Sequence, residues 1–122
     1  MAITASERPG PVDAYRNLEK YKPFIIEWET GNISSTHRAL NKMAVGLLEK
    51  VISGGLLILP SRELYKFLTD RVGNFDEIKP YFPVWKNLPL AEGVLAIAVI
   101  EYDNTSDNVP QIPKGKDGNA PK

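Results

Sequence analysis

Three consecutive segments between residues 24 and 59 limit the possible folds of this chain more than any other feature. Residues 24–30 are rich in β-branched and aromatic side chains, which favours a strand. Residues 34–36 offer N-caps for a helix to about Ser53, with apolar side chains at helical spacing and Gly54 and Gly55 as its expected end. Residues 56–59 form a continuous apolar run, typical of a strand covered on both faces. A strand, a helix and a strand in this order predict a parallel pair joined by a right-handed crossover.

The remaining segments extend this pattern on both sides. Residues 12–17 are a weak strand candidate, residues 62–72 a second helix, and residues 94–102 a last strand. Residues 75–92 combine three prolines with large aromatic side chains, so we expect a packed loop with about one helical turn. The predicted order is β-β-α-β-α-β, an α/β fold with a small mixed sheet. We expect these aromatic side chains to cover the core or form a dimer contact.

Polar, Gly- and Pro-containing termini flank a single predicted domain. Residues 1–10 and 104–122 are predicted to be flexible tails, which leaves one domain over residues 11–103. No stretch reaches the roughly 18 apolar residues of a membrane helix, and the N-terminus lacks the apolar core of a signal peptide. We therefore expect a cytoplasmic protein that does not contact a membrane.

Composition excludes several classes of chemistry. The 122-residue chain has no cysteine and one histidine, which excludes disulfide scaffolds, thiolate metal sites, cysteine nucleophiles and multi-histidine zinc sites. Its 15 Lys and Arg residues balance 15 Asp and Glu residues. A net charge of zero argues against broad electrostatic attraction to nucleic acid, although a local basic surface remains compatible with it.

Two glutamates on the strand of residues 24–30 are the sharpest candidates for chemistry. Side chains alternate along a strand, so Glu27 and Glu29 share one face. Asp13, at the start of the preceding strand candidate, reaches the same end of the sheet if the two strands pair. Mg²⁺ prefers one or two carboxylates together with water and phosphate oxygens, so a divalent cation would offset the repulsion among these acids. The alternative is a solvated face on which both glutamates are ordinary surface residues.

A cluster of polar and basic residues follows this strand. No acidic residue occurs from residue 30 to residue 48, whereas that stretch contains Ser34, Ser35, His37, Arg38, Asn41 and Lys42. Hydroxyl groups, cations and a helix N-terminus are the groups that bind phosphate oxygens. The alternative is that the serines only cap the helix and the cations only solvate it.

These residues together resemble a known nuclease pattern. An acid in Pro11-Val12-Asp13, a strand bearing Glu27-Trp28-Glu29, a helix and a buried strand resemble the core of the PD-(D/E)XK nucleases. Residues 26–32 and the helix after them are similar to the BamHI- and BglII-like restriction endonucleases. The resemblance covers about residues 11–73.

The resemblance implies a metal-dependent DNA nuclease. In this family the first acid and the strand acid bind Mg²⁺ (or Mn²⁺), roles that would fall to Asp13 and Glu27. Glu29 stands where most members carry lysine, and it would act as general base or as a further metal ligand. The substrate would be double-stranded DNA, gripped by the helix from Ser34, with a homodimer cutting both strands. The sequence leaves two alternatives: a non-catalytic interaction or regulatory protein using residues 75–92, and an inactive DNA-binding relative.

Overall fold

Two crossovers connect three parallel strands in the computed structural model, which describes residues 12–29, 31–68 and 71–113. The strands are β1 (Ala14–Leu18), β2 (Tyr21–Trp28), β3 (Gly54–Pro60) and β4 (Val94–Ile100), and they form one sheet in the order β1-β2-β3-β4. The helices are α1 (Ile33–Leu48), α2 (Arg62–Tyr65), α3 (Phe75–Ile78) and α4 (Phe82–Lys86). β1 is antiparallel to β2, whereas β2, β3 and β4 run parallel. The predicted α/β fold with a small mixed sheet is confirmed.

The core lies between α1 and one face of the sheet. Leu57 and Leu59 of β3 are fully buried in a cluster with Ile25 of β2 and with Leu40 and Met43 of α1. Burial of large aliphatic side chains contributes about 1.5–3 kcal/mol each, so this cluster is a main source of stability. It also defines which side of each strand faces the helix.

A glycine sets the distance between α1 and the sheet. A Cβ atom at Gly55 would lie 2.6 Å from the Met43 Sδ, so a larger residue would push the helix outward. Gly54 and Gly55 begin β3, and the prediction that they terminate the preceding helix is wrong. The close approach that Gly55 permits lets the long apolar side chains of α1 reach the sheet.

α1 ends at Leu48, so its predicted extension to Ser53 is also wrong. Lys50 has a left-handed backbone conformation with φ of 59°. Its N–H donates to the Leu47 carbonyl (3.1 Å), and the Val51 N–H donates to the Gly46 carbonyl (3.0 Å). This is the Schellman arrangement, which satisfies the last carbonyls of a helix.

β2 begins earlier than predicted and runs through a proline. The predicted strand begins directly after Pro23, but β2 starts at Tyr21. The β1–β2 register shifts between Arg16, which pairs with Phe24, and Leu18, which pairs with Tyr21. Pro23 lies opposite this irregularity, where the ladder tolerates a residue without an N–H donor. β4 likewise ends at Ile100 instead of residue 102.

The segment after β3 differs most from the prediction. α2 is capped by the Ser61 hydroxyl, which accepts the Leu64 N–H (3.0 Å), but it covers four residues instead of residues 62–72. Residues 75–86 form α3, a 3₁₀ turn (Lys79–Tyr81) and α4 in place of a loop with one turn. Phe82 and Trp85 pack against the core, as predicted for the aromatic segment.

The predicted tails lie largely outside the described residues. Residues 1–11 and 114–122 belong to that undescribed part, so the N-terminal tail stays a prediction. Residues 101–113 are exposed and contain no helix or strand. Within the described ranges, the helices are too short or too polar to cross a membrane.

Candidate active site

Glu27 and Glu29 lie on the face of the sheet that packs against α1. Glu27 is in register with the buried Leu57 of β3, and both glutamates are only 6% exposed. The same face carries Ile25 of the core. Trp28, on the opposite face, is half exposed. The alternative of a solvated glutamate face is therefore wrong, because side-chain alternation places the two acids at the end of the core.

Pairing of β1 with β2 brings the third acid to this position. The Trp28 N–H donates to the Asp13 Oδ2 (2.9 Å), and the carboxyl group of Asp13 lies close to that of Glu27. The predicted approach of Asp13 to the end of β2 is confirmed.

The buried Glu27 carboxyl group has a lysine partner. The Lys42 Nζ, from the middle of α1, forms an ion pair with the Glu27 Oε1. Burial raises the pKa of Glu27 from its ordinary value, the hydrogen bond from Lys42 opposes this shift, and the Asp13 carboxyl adds to it. Glu27 is thus held between a like charge and an opposite one.

Glu29 is held by the turn that leads into α1. Its Oε1 accepts the Gly31 N–H (2.6 Å), and the fully buried Thr36 hydroxyl is in hydrogen-bond contact with the carboxyl group. Burial raises the pKa of Glu29, and these two hydrogen bonds oppose the shift. Glu29 therefore has a fixed position, and its pKa lies above that of an exposed glutamate.

A cleft of about 300 Å³ joins the three acids to the start of α1. Asn32 caps this helix, since its Oδ1 accepts the Ser35 N–H (3.1 Å), and the first turn carries no acidic residue. The cleft is lined by Asp13, Glu27, Trp28, Glu29, Gly31, Ser35, Arg38, Ala39 and Lys42. Three carboxylates thus face two cations and a helix N-terminus across one concave surface.

The residues predicted to bind DNA fall into two groups. Ser35, Arg38 and Lys42 line the cleft, and Ser34 is exposed beside it on the first turn of α1. His37 and Asn41 instead contact the aromatic side chains that precede β4. The His37 ring packs edge-on against Tyr81 (4.6 Å between centroids), and the Trp85 Nε1 donates to the Asn41 Oδ1 (3.0 Å). The cleft therefore gathers part of the predicted set.

Comparison with known proteins accords with this geometry. The family model described as restriction endonuclease BamHI matches residues 1–119. The chain belongs to the BamHI family. It is 58% identical over 118 residues to the type II restriction enzyme OkrAI of Oceanobacter kriegii, covering 97% of this chain and 60% of that relative. It is 38% identical over 115 residues to the type II restriction enzyme BamHI of Bacillus amyloliquefaciens, covering 92% of this chain and 52% of that relative.

These matches confirm the resemblance to restriction endonucleases that the sequence pattern indicated. The chain spans between about half and three fifths of the length of these two curated relatives.

The donor set of the cleft fits a hard divalent cation held by two residues. Within the three described ranges, no cluster of three or more His, Cys, Asp or Glu side chains is arranged to hold a metal ion. Asp13 and Glu27, however, place two carboxyl groups close together. Mg²⁺ commonly binds through one or two carboxylates and completes its coordination with water and substrate phosphate oxygens. Two protein ligands are sufficient for such a site.

Two residues of the site escaped the sequence interpretation. The sequence pattern indicates Thr36 only as a possible helix cap, but in the structure its hydroxyl contacts Glu29. Gly73, 44 positions after Glu29, donates its N–H to the Gly31 carbonyl (2.9 Å) and packs against Thr36. No local motif distinguishes Gly73 from other glycines, so only the tertiary contact could reveal it.

We expect Gly73→Ala to destabilise the protein by about 1–3 kcal/mol, the usual cost of overpacking. A Cβ atom at this position would overlap the Thr36 Oγ1, which must then move away from Glu29. Urea unfolding measures the loss. In a Thr36→Ala background the same substitution should cost much less, because the overlapping oxygen is gone. Equal costs in the two backgrounds would contradict this explanation.

We expect Glu29→Gln to stabilise the protein at pH 8 by about 1 kcal/mol, because it removes a buried charge. The raised pKa of Glu29 means that the folded state binds its proton more tightly than the unfolded state. The destabilising effect of Glu29 is therefore present above the folded-state pKa and disappears as the pH falls towards the unfolded-state value. Urea unfolding at pH 8 and pH 4.5 should show an advantage of glutamine that shrinks at low pH. A difference independent of pH would contradict the assignment to Glu29 ionisation.

Proposed function

We propose that this chain carries the catalytic cleft of a type II restriction endonuclease that hydrolyses phosphodiester bonds of double-stranded DNA. The observation that carries the proposal is the cleft itself, where Asp13, Glu27 and Glu29 meet the start of α1 in a BamHI-family chain. Acids alone would repel DNA, but the helix N-terminus and the exposed Arg38 beside them provide groups that bind phosphate.

Asp13 and Glu27 are the proposed ligands of Mg²⁺ or Mn²⁺, with Glu29 as a further predicted ligand or general base. A bound divalent cation would lower the pKa of a coordinated water and offset charge on the phosphate. The buried position of Glu27 supports this role, because a buried carboxylate needs a positive charge beside it, which Lys42 supplies in this structure and a metal cation would also supply. Both acids are hard oxygen donors of the kind that Mg²⁺ prefers.

Glu29 is the proposed acceptor of the proton that the attacking water loses. Its raised pKa suits a general base, since efficient proton transfer needs a pKa nearer the working pH. The Gly31 N–H and Thr36 hydroxyl fix the carboxyl group, so the oxygen that takes the proton has a defined orientation. This role explains why a buried acid is retained despite its cost to stability.

The start of α1 is the proposed contact surface for DNA. Ser35 and Arg38, which line the cleft, would bind phosphate oxygens near the acids, and Ser34 would bind the backbone beside them. Contacts of His37, Asn41 and Lys42 with DNA stay predictions, as do a homodimer and a cytoplasmic location. Among these residues, Arg38 is the one we most expect to contact DNA, because its guanidinium can bind phosphate or guanine in a bidentate manner.

Cleavage of supercoiled plasmid tests the proposed function. We expect conversion to nicked and linear DNA with Mg²⁺ or Mn²⁺, and no conversion when EDTA removes the cation. Retained binding to duplex DNA without cleavage would instead support an inactive DNA-binding relative. Absence of both, with a stable protein complex in pull-down, would support the interaction protein. Cleavage that persists in EDTA would exclude the proposed metal dependence.

A further inference from the structure

The ion pair between Lys42 and Glu27 is buried inside the cleft. The side chains of Lys42 and Glu27 are 12% and 7% exposed, respectively. Arg38, the other cation of the cleft, is exposed. Lys42 is therefore the cation that shares the buried environment of Glu27.

This position has an electrostatic reason. The carboxyl groups of exposed Asp13 and buried Glu27 lie close together, and two negative charges at such a short distance repel each other. A buried charge is tolerated in a protein when an opposite charge is paired with it. The Lys42 ammonium offsets the repulsion at the Glu27 Oε1, an oxygen of one of the two proposed metal ligands.

We propose that Lys42 is a tethered counter-ion that holds the place of the divalent cation beside Glu27 and must withdraw when that cation binds. This inference rests on the proposed function, because it concerns the same cleft. The long flexible stem of lysine allows the ammonium to move while its Cα stays on α1. Lys42 is thus a positioning residue, which keeps Glu27 in place for the metal and lowers the affinity for it.

A Mn²⁺ titration tests this competition. Free Mn²⁺ is measured from its electron paramagnetic resonance signal at pH 8, where competition from protons is small. Lys42→Gln should bind Mn²⁺ at least about tenfold more tightly than wild type, because no ammonium opposes the cation. Lys42→Arg, which keeps the charge, should stay closer to wild type. Lys66→Gln is the matched control, since Lys66 pairs with Glu63 on the exposed surface.

A purely structural role gives a different result. If Lys42 only stabilises the fold, Lys42→Gln would lower the urea midpoint of unfolding and leave Mn²⁺ affinity unchanged or weaker. That result would overturn the inference. Circular dichroism checks that each variant is folded, and Lys42→Met, which keeps most of the stem, replaces Lys42→Gln if the latter unfolds.

Glu27→Gln separates this inference from the proposed function. Weaker Mn²⁺ binding by Glu27→Gln together with wild-type affinity of Lys42→Gln would overturn the role of Lys42 alone. Unchanged Mn²⁺ binding by Glu27→Gln would overturn the proposed metal site, and with it the role of Lys42. Absence of Mn²⁺ binding in wild type and every variant would likewise overturn both.

Discussion

Glu27→Gln is expected to lower the rate of DNA cleavage by at least about a thousandfold, the scale of loss when a charged catalytic group is removed. Glutamine has nearly the same shape as glutamate but cannot supply a full negative charge to a cation. Because Glu27 is buried and lies close to Asp13, its replacement removes half of the proposed metal-binding pair. Initial rates of plasmid nicking with saturating Mg²⁺ measure the effect.

Glu63→Gln is the matched control for this substitution. Glu63 lies exposed on α2, where it pairs with Lys66, so its replacement should leave the cleavage rate within about twofold of wild type. Urea unfolding should show both variants folded under assay conditions. A Glu27→Gln protein that cleaves at a tenth of the wild-type rate or faster would exclude Glu27 as an essential metal ligand.

Leu57→Ala is expected to lower the free energy of unfolding by about 2–5 kcal/mol, the range for a large-to-small substitution in a close-packed core. Leu57 is 0% exposed and lies in β3 beside Glu27 of β2. The cavity would therefore form directly next to the strand that carries the acids. Equilibrium urea unfolding measures the loss, and cleavage assays below the unfolding transition report any shift of the cleft.

Leu48→Ala is the control for Leu57→Ala, because it makes the same substitution at an exposed position. Leu48 is the last residue of α1 and is 43% exposed, so its truncation should cost less than about 1 kcal/mol. A similar cost for both leucines would contradict the assignment of the loss to a buried cavity at Leu57.

The two glutamates of the site show what side-chain alternation along a strand can and cannot predict. The alternation of a strand predicts that Glu27 and Glu29 share a face, and the structure confirms it. Periodicity does not say whether that face meets solvent or a helix, since Ile26 and Trp28 on the other face are equally apolar candidates for the core. Packing of α1 against Ile25 decided the question, and with it the burial of both acids.

Element boundaries depended on contacts that local patterns do not contain. The Schellman arrangement at Lys50 ends α1 several residues before Gly54 and Gly55, the glycines that the local sequence indicates as its end. A register irregularity opposite Pro23 lets β2 pass through a proline. Beyond α2, Arg71 has a left-handed φ of 70°, a conformation that interrupts any longer helix.

The amino-acid pattern alone was sufficient for the order of the four strands, the helix between β2 and β3, the α/β class and the shared face of Glu27 and Glu29. These follow from local spacing and residue type, which act over a few positions along the chain. Only the tertiary structure decided that Lys42 pairs with Glu27, that Thr36 and Gly73 support Glu29, and that His37 and Asn41 turn towards aromatic side chains. The physical reason is that burial and charge pairing depend on distance in space, and folding brings together residues far apart in the chain, such as Asn41 and Trp85, which are 44 positions apart.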